Sequence, residues 1–415
     1  MLSKTKRFLG RYRKLTGNVF ALSVVSFLND TSSEIIYPLL PTFLALTMGA
    51  TPFVIGLIEG FAESVASLLK LFSGHLSDKF GNRKLPVFAG YSLASILRPL
   101  LAFAVTWQHV LILRVGDRVG KGIRVAPRDA LLAESVSEDD RGLAFGFNRA
   151  ADHLGAVFGP MVAFILLYFL SVDHSNPTAD EYRQVFLFAA VPIVLGLFVV
   201  IFFVKEEKTV HPDGVELESF SLAGFDSNFK RFLIILVIFT LSNSTDAFLL
   251  LRAQEAGVSL VFLPLLWMGL HLSKVLSSLV FGDLSDRLGR RRIIFGGWML
   301  YALVYLGFAF ANGPYQVLAL FLLYGVFFGM TEGVEKALVA DLVPKDKKGT
   351  AYGLYNLAFG IAVFPASLIF GALWYGFSAS TAFLVSSGIS ITAAILILTV
   401  RNPKFDGDSR DNVNT

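Results

Sequence analysis

Cysteine is absent from this chain, which excludes a disulfide framework and any thiolate-held metal site. Charge is scarce: Asp, Glu, Lys and Arg make up 16% of 415 residues, against about 25% in soluble domains. No glycine-rich loop ends in Lys-Ser or Lys-Thr, so ATP is not expected to drive the protein. No His-rich tract or carboxylate cluster has metal-ligand spacing. Without a constellation for covalent chemistry, the chain is expected to be no enzyme and to hold no cofactor and no metal.

Apolar residues fill the space that charge leaves, at 54% of the chain. Runs of bilayer-crossing length recur twelve times, near 18–45, 53–76, 85–106, 109–134, 143–170, 184–204, 230–251, 259–281, 293–311, 314–341, 350–376 and 380–400. The net charge of +4 is not one basic patch, as nucleic-acid binding requires. Lys4, Lys6, Arg7, Arg11, Arg13 and Lys14 precede the first run, and basic residues fill the turns near 79–84, 287–292 and 345–348. The alternate turns near 46–52, 311–315 and 377–380 have none. By the positive-inside rule, both termini are expected in the cytoplasm and the chain in the cytoplasmic membrane. The basic start has no signal-peptide pattern, because a long span follows without a cleavage site.

The chain repeats itself. Gly74-His-Leu-Ser-Asp78-Lys-Phe-Gly81-Asn-Arg83-Lys84 returns as Gly282-Asp-Leu-Ser-Asp286-Arg-Leu-Gly289-Arg-Arg-Arg292. Further on, Arg128-Asp-Ala-Leu-Leu-Ala-Glu134 aligns with Glu335-Lys-Ala-Leu-Val-Ala-Asp341, and Arg141-Gly-Leu-Ala-Phe-Gly146 with Lys348-Gly-Thr-Ala-Tyr-Gly353. Duplicated helical halves are a common construction of secondary transporters, and the repeat disfavours a channel. The longest polar connection, 205–229, separates six runs from six. The expected organisation is a basic N-terminus at 1–17, a six-helix bundle at 18–204, a linker at 205–229, a second bundle at 230–401 and a tail at 402–415. With both halves in one chain, a monomer is expected.

Twelve spans, homologous halves and this charged turn resemble the major facilitator superfamily across nearly the whole chain. The resemblance implies an all-α membrane protein of twelve transmembrane helices in two pseudo-symmetric six-helix bundles. The superfamily's turn between spans 2 and 3 reads roughly G-x-L-[SA]-D-[RK]-x-G-[RK]-[RK]. The second copy satisfies it, and the first departs at Asn82. Gly74 and Gly282 suit close helix approach, and Gly81 and Gly289 a sharp reversal. By resemblance, Asp78, Arg83, Asp286, Arg290 and Arg291 hold the cytoplasmic side shut. In span 5, Gly146, Gly155, Gly159 and Pro160 follow a G-x8-G-x3-G-P spacing. It resembles the motif of the drug–proton antiporter branch and implies a hinge that favours exchange. Gly155 and Gly159 share one helix face.

Charge inside the spans is the remaining signal. Ionisable side chains in a bilayer cost about 2.5–3.5 kcal/mol each even on lenient scales, so they face a wet cavity or each other. Span 4 carries Arg114, Asp117, Arg118, Lys121 and Arg124, with Arg114, Asp117, Lys121 and Arg124 on one stripe. Asp30 and Glu34 in span 1, and Glu59 and Glu63 in span 2, are pairs at i and i+4 that share a face. Such pairs suit proton coupling, with Asp30 and Glu34 the first choice and a static ion pair with span 4 as the alternative. Asp246 in span 7, Lys274 in span 8 and Glu332 in span 10 extend the candidates. At repeat-equivalent positions Arg128-Asp129 faces Glu335-Lys336 with the charges swapped. Crosswise pairs between them are expected to form an inner gate, unless each pairs within its own half.

The expected function is a secondary transporter that exports small molecules by alternating access in antiport with protons, its partners being the substrate, the proton and the bilayer. An uptake symporter for a small organic anion is the alternative, given Arg98, Arg118, Lys121, Arg149 and Lys274. A receptor or scaffold without transport is the reading from another class.

Overall fold

A computed structural model describes residues 15–80, 82–137, 140–206, 222–344 and 347–401, and all regular structure among them is helical. The first half contains α1 (Gly17–Ile36), α2 (Leu40–Met48), α3 (Pro52–Phe80), α4 (Lys84–Leu100), α5 (Trp107–Glu134), α6 (Arg141–Leu170), α7 (Ala179–Phe188) and α8 (Ala190–Phe202). The second contains α9 (Ser227–Ser242), α10 (Ala247–Glu255), α11 (Leu263–Leu288), α12 (Arg290–Phe310), α13 (Pro314–Leu342), α14 (Lys348–Gly376) and α15 (Ala379–Ile397). Eleven stretches of the described chain are helical, long and apolar enough to cross a membrane. The twelfth expected run is α5, which has the length but carries too much charge to qualify on composition.

Several helices start where short polar side chains replace missing backbone partners. Thr16, Thr106 and Ser378 accept from the amides of Val19, His109 and Thr381. Thr178 and Glu181 form a reciprocal capping box on α7. At the repeated turn, α11 ends and Gly289 adopts φ +91°, which admits a residue without Cβ. The glycine at the other end of that motif behaves differently: a Cβ on Gly282 meets nothing within 4 Å, so no close approach requires it.

Three runs read as continuous spans are broken. Span 1 pauses over Tyr37-Pro38-Leu39 between α1 and α2, where Pro38 has no amide to donate. Span 6 pauses at Ala189, whose carbonyl accepts from Ser32 Oγ at 2.6 Å. Span 7 opens between α9 and α10, with Asn243 at φ −93° and ψ 80°. The run Ser242-Asn-Ser-Thr245 bonds readily to its own backbone and favours caps over helix interiors. The freed groups find partners: Tyr301 Oη donates to the Ser242 carbonyl at 2.6 Å, and the Thr245 amide donates to Ser367 Oγ at 3.2 Å.

The chain packs as two compact units, Met1–Leu40 with Leu68–Leu217, and Pro41–Ser67 with Glu218–Thr415. The second unit thus includes the early part of α3. There Gly56 and Gly60 lie on Ser367 of α14, and Ser64 Oγ donates to the Gly360 carbonyl at 2.7 Å. Within the first unit, α1 packs along α6 and α8, and α4 along α5. Within the second, α11 packs along α13 and α12 along α15. The α11–α13 contact is a small-residue seam, because a Cβ on Gly325 or Gly329 would run into Leu270, Ser273, Ser277 and Ser278. An aromatic lattice fills the second unit, with Phe239 stacked on Trp298 at 4.2 Å and Tyr301 on Tyr305 at 4.1 Å. Such pairs add about 0.5–1.5 kcal/mol beyond the area they bury.

Candidate functional site

In the first unit the buried charge converges on Asn29. Arg98 of α4 donates through Nη1 to the Asn29 carbonyl at 2.9 Å and through Nη2 to Asn29 Oδ1 at 3.1 Å. Its Nε pairs with Asp117 Oδ1 of α5 at 3.0 Å. Arg124 Nη2 reaches the same Oδ1 at 3.0 Å, and its guanidinium lies 4.6 Å from the Tyr91 ring centroid. Asn29 Nδ2 then donates to Asp30 Oδ1 at 2.8 Å. One amide therefore links two arginines to one acid, and Asp117 lies in the field of Arg98, Arg124, Arg118 and Arg114. Of the expected stripe, Arg114, Asp117 and Arg124 are buried, while Lys121 and its neighbour Arg118 are half-buried.

The expected proton pair adjoins this centre on the face of α1 that packs against α6. Asp30 and Glu34 are half-buried, and they rest on the glycine face of α6. A Cβ on Gly155 would meet the Phe27 carbonyl oxygen at 2.5 Å and Asp30 Cβ at 3.0 Å. One on Gly159 would meet the Thr31 carbonyl oxygen at 2.6 Å and Glu34 Cβ at 2.7 Å. The charges of Asp152, Glu34, Lys121 and Arg128 all act on Asp30. The four hinge candidates separate here. Gly155 and Gly159 are packing positions, Pro160 is buried in an unbroken helix, and a Cβ on Gly146 meets nothing within 4 Å.

In the second unit the polar centre rests on hydroxyl and ring N–H donors. Asp246, at the start of α10, accepts from Tyr324 Oη at 2.6 Å, within the field of Lys274, His271 and Glu63. Lys274 pairs with Glu332 at 2.6 Å and lies 4.7 Å from the Phe328 ring centroid. Glu59 is buried and Glu63 half-buried on the part of α3 that packs in this unit.

Among the described residues, most of those expected at the gate have partners inside their own units. Arg128 donates to Asp129 Oδ1 at 2.8 Å and to Ser26 Oγ at 3.0 Å, with Asp152 at 3.8 Å. Both oxygens of the buried Glu335 carboxylate are taken, one by Trp298 Nε1 at 2.9 Å and the other by Tyr355 Oη at 2.8 Å. Lys336 is exposed. At the repeated turn the same charge pattern appears in both units. Arg83 pairs with Glu134 at 2.7 Å, and Arg290 bridges Asp286 at 3.0 Å and Asp341 at 2.5 Å. Glu134 and Asp341 are repeat-equivalent acids at the ends of α5 and α13. Arg291 instead donates to the Val400 carbonyl at 2.9 Å beyond α15. Gly81 and the side chain of Asp78 lie outside the described residues.

Several residues that organise these centres were not expected from sequence: Asn29, Ser26 and Asp152 in the first unit, and Trp298, Tyr324 and Tyr355 in the second. Ser26, Tyr324, Tyr355 and Trp298 are ordinary in an apolar run, whereas Asp152 and Asn29 carried the same signal as the charged candidates. Their signal was that polar groups buried in a bilayer require partners.

The sequence matches the Major Facilitator Superfamily over residues 22–273 and 232–413. It is 36% identical over 392 residues to an uncharacterized MFS-type transporter of Methanocaldococcus jannaschii, covering 93% of this chain and 95% of that protein. It is 24% identical to a multi-drug resistance efflux pump PmrA homolog of Lactococcus lactis, covering 91% of this chain and 93% of that protein. Among solved structures, the nucleoside transporter NupG superposes with a TM-score of 0.78 at 12% identity, covering 92% of this chain and 99% of that one.

Proposed function

This chain belongs to the Major Facilitator Superfamily, and on that premise we propose that it exports small molecules across the cytoplasmic membrane in exchange for protons. The observation that carries this reading is the seating of Asp30 and Glu34 on the Gly155–Gly159 face of α6. An ionised carboxylate in a membrane requires water or a cation, whereas a protonated one tolerates a dry, packed interface. Protonation at Asp30 and Glu34 therefore changes which arrangement of α1 against α6 is favoured. The motif in α6 resembles that of drug–proton antiporters, and an efflux pump homolog is among the relatives. Both termini lie in the cytoplasm, and the monomer is the working unit.

A second reading, uptake of a small organic anion, is supported by the burial of Arg98, Arg114, Arg124 and Arg128 in one unit. Guanidinium groups bind carboxylates in fork geometry.

The test is survival of an efflux-deficient bacterium that expresses the protein across a broad toxicant panel, beside an Asp30→Asn/Glu34→Gln control. Resistance lost in the control is the expected result. Sensitisation instead of resistance favours uptake. Transport that survives in the control removes Asp30 and Glu34 from coupling.

A further inference from the structure

Where α1 begins and α8 ends, the first unit carries a groove of about 660 Å³, lined by Gly17, Ala21, Val24, Val199, Phe202 and Lys205 among others. It runs from these helix ends along α1 to Val24, roughly 10 Å at the helical rise. Both helices belong to stretches long and apolar enough to span a bilayer. Their ends therefore lie at a membrane–water boundary, and the groove runs from that boundary into the hydrocarbon.

We infer that this groove binds one anionic phospholipid, with an acyl chain along Ala21, Val24 and Val199 and the phosphate between Lys205 and the start of α1. The wall is apolar, and Phe202 and Phe203 are 69% and 66% exposed beside it. The groove's one charged lining residue is a cation, Lys205. Lys205 is exposed and has no ion-pair partner among the described residues. The adjacent acid makes its contacts elsewhere: the Glu206 carboxylate accepts from the amides of Arg83 and Lys84 at 2.9 and 2.6 Å. The first turn of α1 adds the positive end of a helix dipole.

The backbone of Lys205 is also fixed. Its amide donates to Asn18 Oδ1 at 2.9 Å, and Asn18 Nδ2 donates to its carbonyl at 3.0 Å. Asn18 is in turn tied to Ser135 Oγ at 2.9 Å. The last polar residue of one span is thereby held against the first turn of another. A basic notch between two spans, opening onto an apolar groove, is the arrangement that holds anionic headgroups. The sequence before α1 adds Lys4, Lys6, Arg7, Arg11, Arg13 and Lys14, which enrich such lipids at that membrane face. This inference requires only that the chain is embedded in a bilayer, and it does not depend on the direction or coupling of transport.

The test is native mass spectrometry of the full chain in detergent, titrated with phosphatidylglycerol or phosphatidylcholine. The wild type is expected to bind a first phosphatidylglycerol at least about tenfold more tightly than phosphatidylcholine, a gap of about 1.4 kcal/mol. Lys205→Glu should abolish that preference and Lys205→Arg should keep it. Val24→Trp, which fills the groove and leaves the charge, should weaken both lipids. An undiminished preference in Lys205→Glu overturns the proposal, as does equal binding of the two lipids by the wild type. Inorganic phosphate that displaces the first phosphatidylglycerol at equal concentration would also overturn it, because the site would then recognise the anion and not the lipid.

Discussion

Arg98 grips Asn29 twice, through the backbone carbonyl at 2.9 Å and the side-chain oxygen at 3.1 Å. One guanidinium therefore sets both the height and the rotation of α1 at the residue before Asp30. Its Nε pairs with Asp117, so α1, α4 and α5 share one planar fork.

That geometry predicts that lysine will not substitute. Arg98→Lys keeps the charge but offers no fork, and removing one partner of a buried ion pair costs about 3–5 kcal/mol. Transport in membrane vesicles should fall at least tenfold in Arg98→Lys and further in Arg98→Ala. Detergent melting temperatures should drop in the same order. A fully active Arg98→Lys variant would show that the double grip is dispensable.

The glycines of α6 should divide in the same way as their surroundings. Gly155→Ala and Gly159→Ala each place a Cβ within 2.6 Å of a carbonyl oxygen of α1. Forcing atoms into a packed interface costs about 1–3 kcal/mol. Gly146→Ala, in open space inside the helix, should keep or raise stability, by up to about 1 kcal/mol. Thermal unfolding of the three purified variants decides this, and equal losses at all three positions would contradict it.

Arg128 should answer to its own unit. Arg128→Glu loses the bonds to Ser26 and Asp129, and activity is expected to collapse. A second substitution, Glu335→Arg, should fail to restore it, since Glu335 already accepts from Trp298 and Tyr355. Recovery of transport in the double variant, with each single variant inactive, would favour crosswise pairing.

Glu335 itself should tolerate glutamine better than its donor tolerates loss. In Glu335→Gln the amide oxygen can accept from Trp298, and the amide nitrogen can donate to the Tyr355 hydroxyl. Trp298→Phe strands one carboxylate oxygen, at a cost of about 1–3 kcal/mol. Melting temperatures should therefore order wild type, Glu335→Gln and Trp298→Phe from high to low. The reverse order of the two variants would mean that the Trp298 bond contributes little.

Much of the scaffold was legible in sequence because hydropathy reports length in apolar solvent directly. The repeated turn was legible because Gly289 needs an unusual backbone and its neighbours carry charge. The pairing within that turn was less so. Arg83 and Arg291 are repeat-equivalent, yet Arg290 rather than Arg291 mirrors Arg83 by meeting the acid at the end of the fourth span of its repeat. A one-residue rotation on a helix start decides which arginine points inward, and periodicity does not resolve it. Asn29 was invisible for a different reason. Its importance comes from Arg98 and Arg124, which lie 69 and 95 residues away. The break in span 7 had a signal in Ser242-Asn-Ser-Thr245, but its apolar flanks read as one run.

The contacts under Gly155 and Gly159 constrain how this chain can change over time. What a new methyl group would strike first there is the main chain of α1, at Phe27 and Thr31. Side-chain collisions can be relieved by trimming the neighbour, so lineages drift through compensated pairs. Carbonyl oxygens are common to every residue type and offer nothing to trim. A suppressor search starting from Gly159→Ala should therefore return mostly glycine revertants.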